Sequence, residues 1–467
     1  MNRWMVAMLV GAILCAGRPA SADEGMWLYT SPPLKQLKER YGFEPSKQWL
    51  EHLQRSSVRF NSGGSGSFVS SRGLVMTNHH VGAEQIQKLG GPGRDLLQDG
   101  FYAPTQDREL PCPDLELNGL VSVEDVTARV KAAVKPGMDD ATAEKARRAE
   151  MNTIEKESTD RTGLRCDVVT LYQGGQYHLY RYKKYTDVRL VFAPEQDIAF
   201  FGGDADNFEY PRFDLDVTFF RAYENGKPAQ VEHFLAWSPD GAKEGELTFV
   251  SGHPGSTQRQ STAAELRFQR DRRLPMVLTL LRRLEVLCLT YGGRSQENMR
   301  QAKDELFGVQ NGRKALLGSL GGLQDPAFMQ ARRDVEEALR RAVEADPRLQ
   351  EAFGNAWQQV EKSLEVYRGI LVDYSLLERG WAFNSRLFEI ARSLVRLRDE
   401  TAKPNADRLR EYRESNLESL RQELFSTAPI YPQFETVKLA DSLSMLMELR
   451  GAEDPVVVRI LAGKSPR

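Results

Sequence analysis

The sequence predicts a β + α chain of more than one domain, with a barrel or sandwich of short strands followed by an all-helical region. Between Asp23 and Thr262, short runs rich in β-branched and aromatic residues alternate with turn residues. After Ala263 the apolar residues recur at helical spacing instead. The length of 467 residues also exceeds one domain of roughly 100–200 residues. Hydrophobic residues at 41%, charged residues at 27% and a mean hydropathy of −0.49 describe a globular chain with a buried core. They exclude a multi-span membrane protein and a mostly disordered one. Lys plus Arg number 63 against 65 for Asp plus Glu, giving a net charge of −2 and no basic field for nucleic acid. Four cysteines in so long a chain are not a disulfide framework.

Residues 1–22 read as a cleavable secretory signal. Arg3 supplies the positive start, Trp4 to Gly17 is apolar, and Ala20-Ser21-Ala22 is a small-x-small cleavage site. The apolar stretch falls short of the roughly 20 residues of a spanning helix, so no membrane contact is expected after cleavage behind Ala22. Cys15 sits in this leader without the small residues that precede a lipidated cysteine. In an oxidising compartment one pair among Cys112, Cys166 and Cys288 can bridge, with the pairing open.

Residues 23–262 form the expected β domain. Gly66 to Ser70 and Leu74 to Asn78 flank Ser71-Arg72-Gly73, a hairpin turn with Gly73 at positive φ. Cys166–Tyr172, Tyr177–Tyr182, Thr186–Phe192 and Asp216–Tyr223 read as strands, and Leu247–Val250 as a further buried run. Ser46–Gln54, Val81–Leu89 and Asp140–Ser158 read as helices. Residues 263–467 form the expected helical domain. Asp325-Pro326 and Asp346-Pro347 are N-cap and N1 pairs. Behind the second, Leu349, Phe353, Trp357, Val360, Leu364 and Tyr367 make one apolar helix stripe, a bundle core.

The chemistry concentrates in Gly66-Ser-Phe-Val-Ser-Ser-Arg-Gly-Leu-Val-Met-Thr-Asn-His-His-Val81. A strand, a glycine turn and a second strand deliver a histidine just before a short helix, as trypsin-like proteases deliver their general base. His79 and His80 are adjacent, so in extended chain they face opposite ways and only one lines a site. His80 occupies the place of the base. Such a base needs a carboxylate to hold its tautomer and stabilise the imidazolium. Asp216, at the head of a strand, is the first choice, and Asp214, of the same parity, is the weaker one. A calcium loop starting at Asp204 fails, since position 6 is Glu209 and position 12 is Leu215.

The chain resembles the bacterial dipeptidyl-peptidases of the types called dipeptidyl-peptidase 7, dipeptidyl-peptidase 11 and dipeptidyl aminopeptidase BII. The resemblance rests on Asp23-Glu-Gly-Met-Trp27, Ser67-Phe-Val-Ser70, Thr77-Asn-His-His80, Phe201-Gly-Gly-Asp204, Asp206-Asn207, Pro211-Arg212, Asp216 and Gly252-His-Pro-Gly255. Asn311, Lys314, Gly318 and Leu461-Ala-Gly-Lys-Ser-Pro466 extend it through the helical part. It implies secreted or periplasmic serine exopeptidases with a trypsin-like double β-barrel, incomplete here, and a large inserted helical domain. It also implies a homodimer that acts on peptides with a free N-terminus. By the same resemblance His80 is the base, Asp216 its orienter, and Asn207, Phe208 and Asn311 the clamp for the substrate ammonium. Phe208 departs from the family's usual tryptophan. Amide oxygens on a rigid support suit that task, because an ammonium offers only donors. No metal or organic cofactor is suggested.

The family's serine lies in a Gly-Asn-Ser-Gly-Ser-Pro type motif near the C-terminus of a longer chain, and no such motif occurs here. Ser65 and Ser256 sit in other contexts and are poor candidates. The chain as written is therefore expected to be C-terminally truncated, without nucleophile or oxyanion hole, and inactive. Two other readings stand beside the dipeptidyl-peptidase: a non-catalytic homologue that binds peptide N-termini, and a trypsin-like endopeptidase. The acidic or hydrophobic preference before the cleaved bond stays open.

Overall fold

A computed structural model describes residues 25–466, and the expected leader lies outside them. The chain divides into two compact units, Met1–Ser46 and Lys47–Arg467. The first contributes helix α1 (Leu34–Tyr41), which ends at Gly42 in the left-handed region. The second opens on helix α2 (Lys47–Ser56) and holds the sheet and all residues discussed below.

Its eleven strands are β1 (Ser57–Phe60), β2 (Ser65–Phe68), β3 (Leu74–Thr77), β4 (Phe101–Tyr102), β5 (Leu110–Pro111), β6 (Leu117–Asp125), β7 (Arg165–Leu171), β8 (Gln176–Tyr185), β9 (Asp187–Ala193), β10 (Thr218–Glu224) and β11 (Lys227–Pro228). They form one antiparallel sheet in the order β4-β9-β10-β3-β2-β1-β6-β8-β7, with β5 on β9 and β11 on β10. A single residue, Thr186, joins β8 to β9, so the path from β9 round to β8 returns on itself. Val58, Phe60, Phe68, Val75, Leu117, Tyr185, Val188, Leu190 and Phe220, drawn from seven strands, meet in one buried cluster. At roughly 25 cal/mol per Å² of apolar area, that cluster is what holds the sheet curled.

The β2–β3 hairpin turns where expected, with Gly73 at φ 65°. A Cβ there would lie 2.8 Å from the Ala222 carbonyl oxygen, so only glycine fits. Helix α3 (His79–Leu89) starts directly behind β3, with Asn78 at its N-cap. Because β10 pairs with β3, Thr218 opposite Thr77, the residues just before β10 meet those just after β3.

From Ala263 to Leu461 every regular element is helical. Helices α4 (Leu274–Gly292) and α5 (Gln296–Gln324) pack on Pro432–Arg450 through Leu287, Cys288, Tyr291, Leu306 and Phe434. Polar contacts tie the segment 405–426 to the residues flanking the sheet and to the helix Asp140–Thr162. Arg165 pairs with Glu116 at 2.5 Å, and Ser419 donates to the same carboxylate at 2.6 Å. Arg413 pairs with Glu155, and Ser426 donates to Asp114 at 2.7 Å. Burial alone would raise the Asp167 carboxyl, but the guanidiniums of Arg165 and Arg59 hold it low. Charges buried this deep must stay paired, so the pairs fix how the helices sit.

Several expectations are corrected. Leu247–Val250 forms no strand, and Phe249 and Val250 are exposed; between Ala229 and Thr262 the described chain has no strand to pair with it. The stripe from Leu349 to Tyr367 is two helices, Pro347–Phe353 and Ala356–Asp373, interrupted at Gly354-Asn355. Leu349 and Phe353 are exposed, while Tyr367 packs on Phe268. The caps at Asp325 and Asp346 form as read. Cys112, Cys166 and Cys288 are all free and buried, because each lies in a different core cluster. Burial pushes the Cys288 thiol up to about 12.

The loop carrying Gly252-His253 crosses the start of β2, where the His253 amide donates to Ser65 Oγ at 2.6 Å. Both ring nitrogens of His253 are buried without a partner, and burial with nearby Arg59 pushes its pKa down to about 4. The folded state therefore keeps the ring neutral. Stability is unaffected above the ordinary pKa of about 6.5 and falls as pH drops from there towards 4, by on the order of 3 kcal/mol. His253→Phe should flatten that part of a plot of Tm against pH. An unchanged acid slope would contradict the assignment.

Candidate active site

The first turn of α3 and the approach to β10 meet at Asp216. Its carboxylate faces His80 Nδ1 at 2.8 Å and accepts the His80 amide at 3.1 Å. Asn78 Nδ2 reaches the same carboxylate at 3.1 Å and the Asp216 carbonyl at 3.2 Å. Burial would raise the Asp216 carboxyl, but the hydrogen bonds from His80 and Asn78 outweigh it and hold it below its usual range. An ionised carboxylate only accepts, so the His80 proton belongs on Nδ1 and Nε2 is left basic. Asp216 precedes its strand, which begins at Thr218, and is partly exposed rather than buried at a strand head.

His79 and His80 both line one cavity of about 280 Å³, which corrects the expectation that only one does. The extended chain ends at Asn78, and in helical geometry neighbours are about 100° apart rather than opposed. His79 is buried with its Nε2 unpartnered. Burial lowers its pKa, offset in part by Asp216.

The loop 196–217 forms another wall. Asp214 is turned away from the histidine: it pairs with Arg212 at 2.9 Å and accepts the Phe201 amide at 2.8 Å. Arg212 in turn donates to Asn207 Oδ1 at 3.1 Å and lies over the Phe200 ring. Asn207 is buried and donates to Asn311 Oδ1 at 3.0 Å. Each amide oxygen keeps one lone pair for a further donor. Phe208 lines the cavity, is 61% exposed, and holds φ at 62°. A non-glycine residue in that region carries strain that the surrounding contacts must support.

Helix α5 supplies the opposite wall with Lys303, Phe307 and Asn311 at steps of four, and Asp304 beside them. It also grips the loop from outside. Arg313 pairs with Asp204 at 2.8 Å, and Lys314 donates to the carbonyls of Asp204 and Ala205. Phe307 meets Phe200 edge to face at 4.9 Å.

All five residues singled out from the sequence, His80, Asp216, Asn207, Phe208 and Asn311, line this one cavity. Sequence reading gave no role to Asn78, although it stands inside Thr77-Asn-His-His80, nor to Arg212, although it stands inside Pro211-Arg212. Lys303, Asp304, Phe307 and Arg313 carry no motif, and only their spacing from Asn311 along a helix signals them. Among the described residues lining the cavity there is no serine, threonine or cysteine. Ser65 Oγ is engaged by the His253 amide, and Ser256 lies in an exposed loop.

One cavity thus holds a histidine bonded to a carboxylate and, beside it, a pair of hydrogen-bonded amides. The model of the peptidase S46 family matches residues 22–467, and the chain belongs to that family. An Asp/Glu-specific dipeptidyl-peptidase of Porphyromonas gingivalis is 31% identical over 418 residues, 84% of this chain and 57% of that protein. A dipeptidyl-peptidase 7 of Phocaeicola vulgatus is 33% identical over 285 residues, 56% of this chain and 40% of that protein. The chain thus spans about half the length of the curated relatives it matches. The crystal structure of Porphyromonas endodontalis DPP11 with the dipeptide Arg-Glu shares the fold at a TM-score of 0.70 and 24% identity, over 94% of this chain and 66% of that one. Among the described residues, no helix is long and apolar enough to cross a membrane.

Replacing Asp216 by Asn removes the charge that three donors share. The variant should cost on the order of 1 kcal/mol at neutral pH. Because the folded Asp216 pKa is depressed, that stabilisation is present above about pH 4 and is lost as pH falls through the folded value. Urea melts of both proteins at pH 7 and pH 3 check this: the gap should be smaller at pH 3. A gap of equal size at both pH values would contradict it.

Proposed function

We propose that this chain carries the base, its orienter and the substrate clamp of a secreted or periplasmic serine-type dipeptidyl-peptidase. The observation that carries the reading is the hydrogen-bonded His80–Asp216 pair in the same cavity as the Asn207–Asn311 pair. Family membership and the names of the relatives support it. In this reading His80 Nε2 takes the proton of a serine hydroxyl as that oxygen attacks the second peptide bond. The proton then passes to the leaving amine, while Asp216 stabilises the imidazolium. The free amide lone pairs of Asn207 and Asn311 accept the substrate's α-ammonium, with the Phe208 ring beside it. The fixed separation of clamp and base then measures two residues.

In this reading a serine supplies the nucleophile, and among the described residues no hydroxyl or thiol side chain lines the cavity. Residues 23–262 serve as the trypsin-like barrel portion, and 263–467 as a helical cap that blocks long N-terminal extensions. The working form is a homodimer with its leader removed. The same lack of a nucleophile favours a second reading, a module that holds peptide N-termini without cleaving them.

The test is release of dipeptides from a free peptide and from its N-acetylated form, together with binding of the free peptide. The enzyme reading expects release from the free peptide alone, with His80→Ala lowering the rate about 100- to 10,000-fold once the serine is supplied. Binding that survives His80→Ala but is lost in Asn207→Ala, without release, selects the binding module. Equal cleavage of the acetylated peptide would select an endopeptidase and overturn both.

A further inference from the structure

We propose that Asp304 is a specificity-determining residue of this cavity, pairing with the cationic side chain of a lysine or arginine among the first two residues of the bound peptide. The inference rests on the reading above, in which Asn207 and Asn311 hold the peptide's α-ammonium.

The other two acids that line the cavity, Asp214 and Asp216, are matched. Asp216 has His80 at 2.8 Å, Asp214 has Arg212 at 2.9 Å, and Asp204 has Arg313 at 2.8 Å. Behind the wall, Glu84 has Lys88 at 2.5 Å and Glu305 has Lys438 at 3.0 Å. Lys88 is further engaged by Asp114 at 2.8 Å. Asp304 lines the cavity yet makes no hydrogen bond or ion pair with another described residue. Burial, reinforced by Glu84 and Glu305 and only partly offset by Lys88, pushes its carboxyl up to about 6. Asp304 is half-buried, and a carboxylate partly withdrawn from water without a donor is costly, so such groups ordinarily find a partner. Here the open side is the cavity, so the partner is supplied by what enters it.

The position fits a side chain rather than the peptide's ammonium. Asp304 precedes Asn311 by seven residues on α5, two turns or roughly 10 Å along the helix axis. One ammonium cannot touch both. An extended dipeptide reaches roughly 7 Å from its amino end, and a lysine or arginine side chain covers the remainder. The charged partner also makes the stronger, charge-assisted hydrogen bond.

The test is calorimetric titration of the full chain at pH 8 with Lys-Ala, Ala-Lys and their norleucine counterparts, which keep the hydrocarbon and drop the charge. One of the two lysine dipeptides should bind about tenfold more tightly than its norleucine counterpart, a step of about 1.4 kcal/mol. In Asp304→Asn that ratio should fall to about one. Norleucine and lysine dipeptides binding equally to the unaltered chain would overturn the Asp304 proposal while leaving the dipeptide clamp standing. A preference that persists in Asp304→Asn, as when Lys303 neutralises the carboxyl, overturns it too. No binding of any of the four dipeptides would overturn the clamp, and the Asp304 proposal with it. The comparison within the unaltered chain stands even if the variant misfolds.

Discussion

The site depends on one carboxylate engaging three groups of a single helix turn at once. Asp216 takes the ring and the amide of His80 and the side chain of Asn78, and so locks the first turn of α3 to the approach of β10. The pairing of β10 with β3 brings these ends together, and the turn at Gly73 sets the length of β3. The imidazole is thus fixed by backbone geometry as much as by its own contact. Its tautomer follows from the ionised state of its partner.

The second half of the site is held by a different device. Helix α5 touches the loop 204–209 through Asn311, Arg313 and Lys314, so the Asn207–Asn311 pair exists only while the helices are seated on the sheet. The buried Arg413–Glu155 pair and the hydrogen bonds from Ser419 to Glu116 and from Ser426 to Asp114 do the seating. Such pairs add little net stability over apolar contacts, but each is costly to break singly. They favour one docking geometry over near alternatives. The distance from base to clamp inherits that precision.

The hairpin, its glycine turn and the positions of His80 and Asp216 were legible because local rules fix them: turn chemistry, strand patterning and a motif. The helical caps at Asp325 and Asp346 were legible for the same reason. The break at Gly354-Asn355 was not, since a regular apolar spacing masked a helix-breaking pair. Nor was the shared exposure of His79 and His80 to one cavity, which turns on whether the chain is still extended at that point. Arg313 acts across a long sequence separation and nothing local marks it, while Arg212 works within its own loop, whose folding no local rule fixes. The exposed run at Phe249 and Val250 reads as buried in sequence because composition does not report whether a partner strand is present.

The account stands or falls on His80 as a base oriented by Asp216. The direct measurement is the ring tautomer of His80, read by ¹⁵N NMR of histidine-labelled protein at pH 9 and assigned with His80→Ala. The account predicts an Nδ1–H tautomer that is lost or mixed in Asp216→Asn. An Nε2–H tautomer in the unaltered chain, or one indifferent to Asp216→Asn, would contradict it.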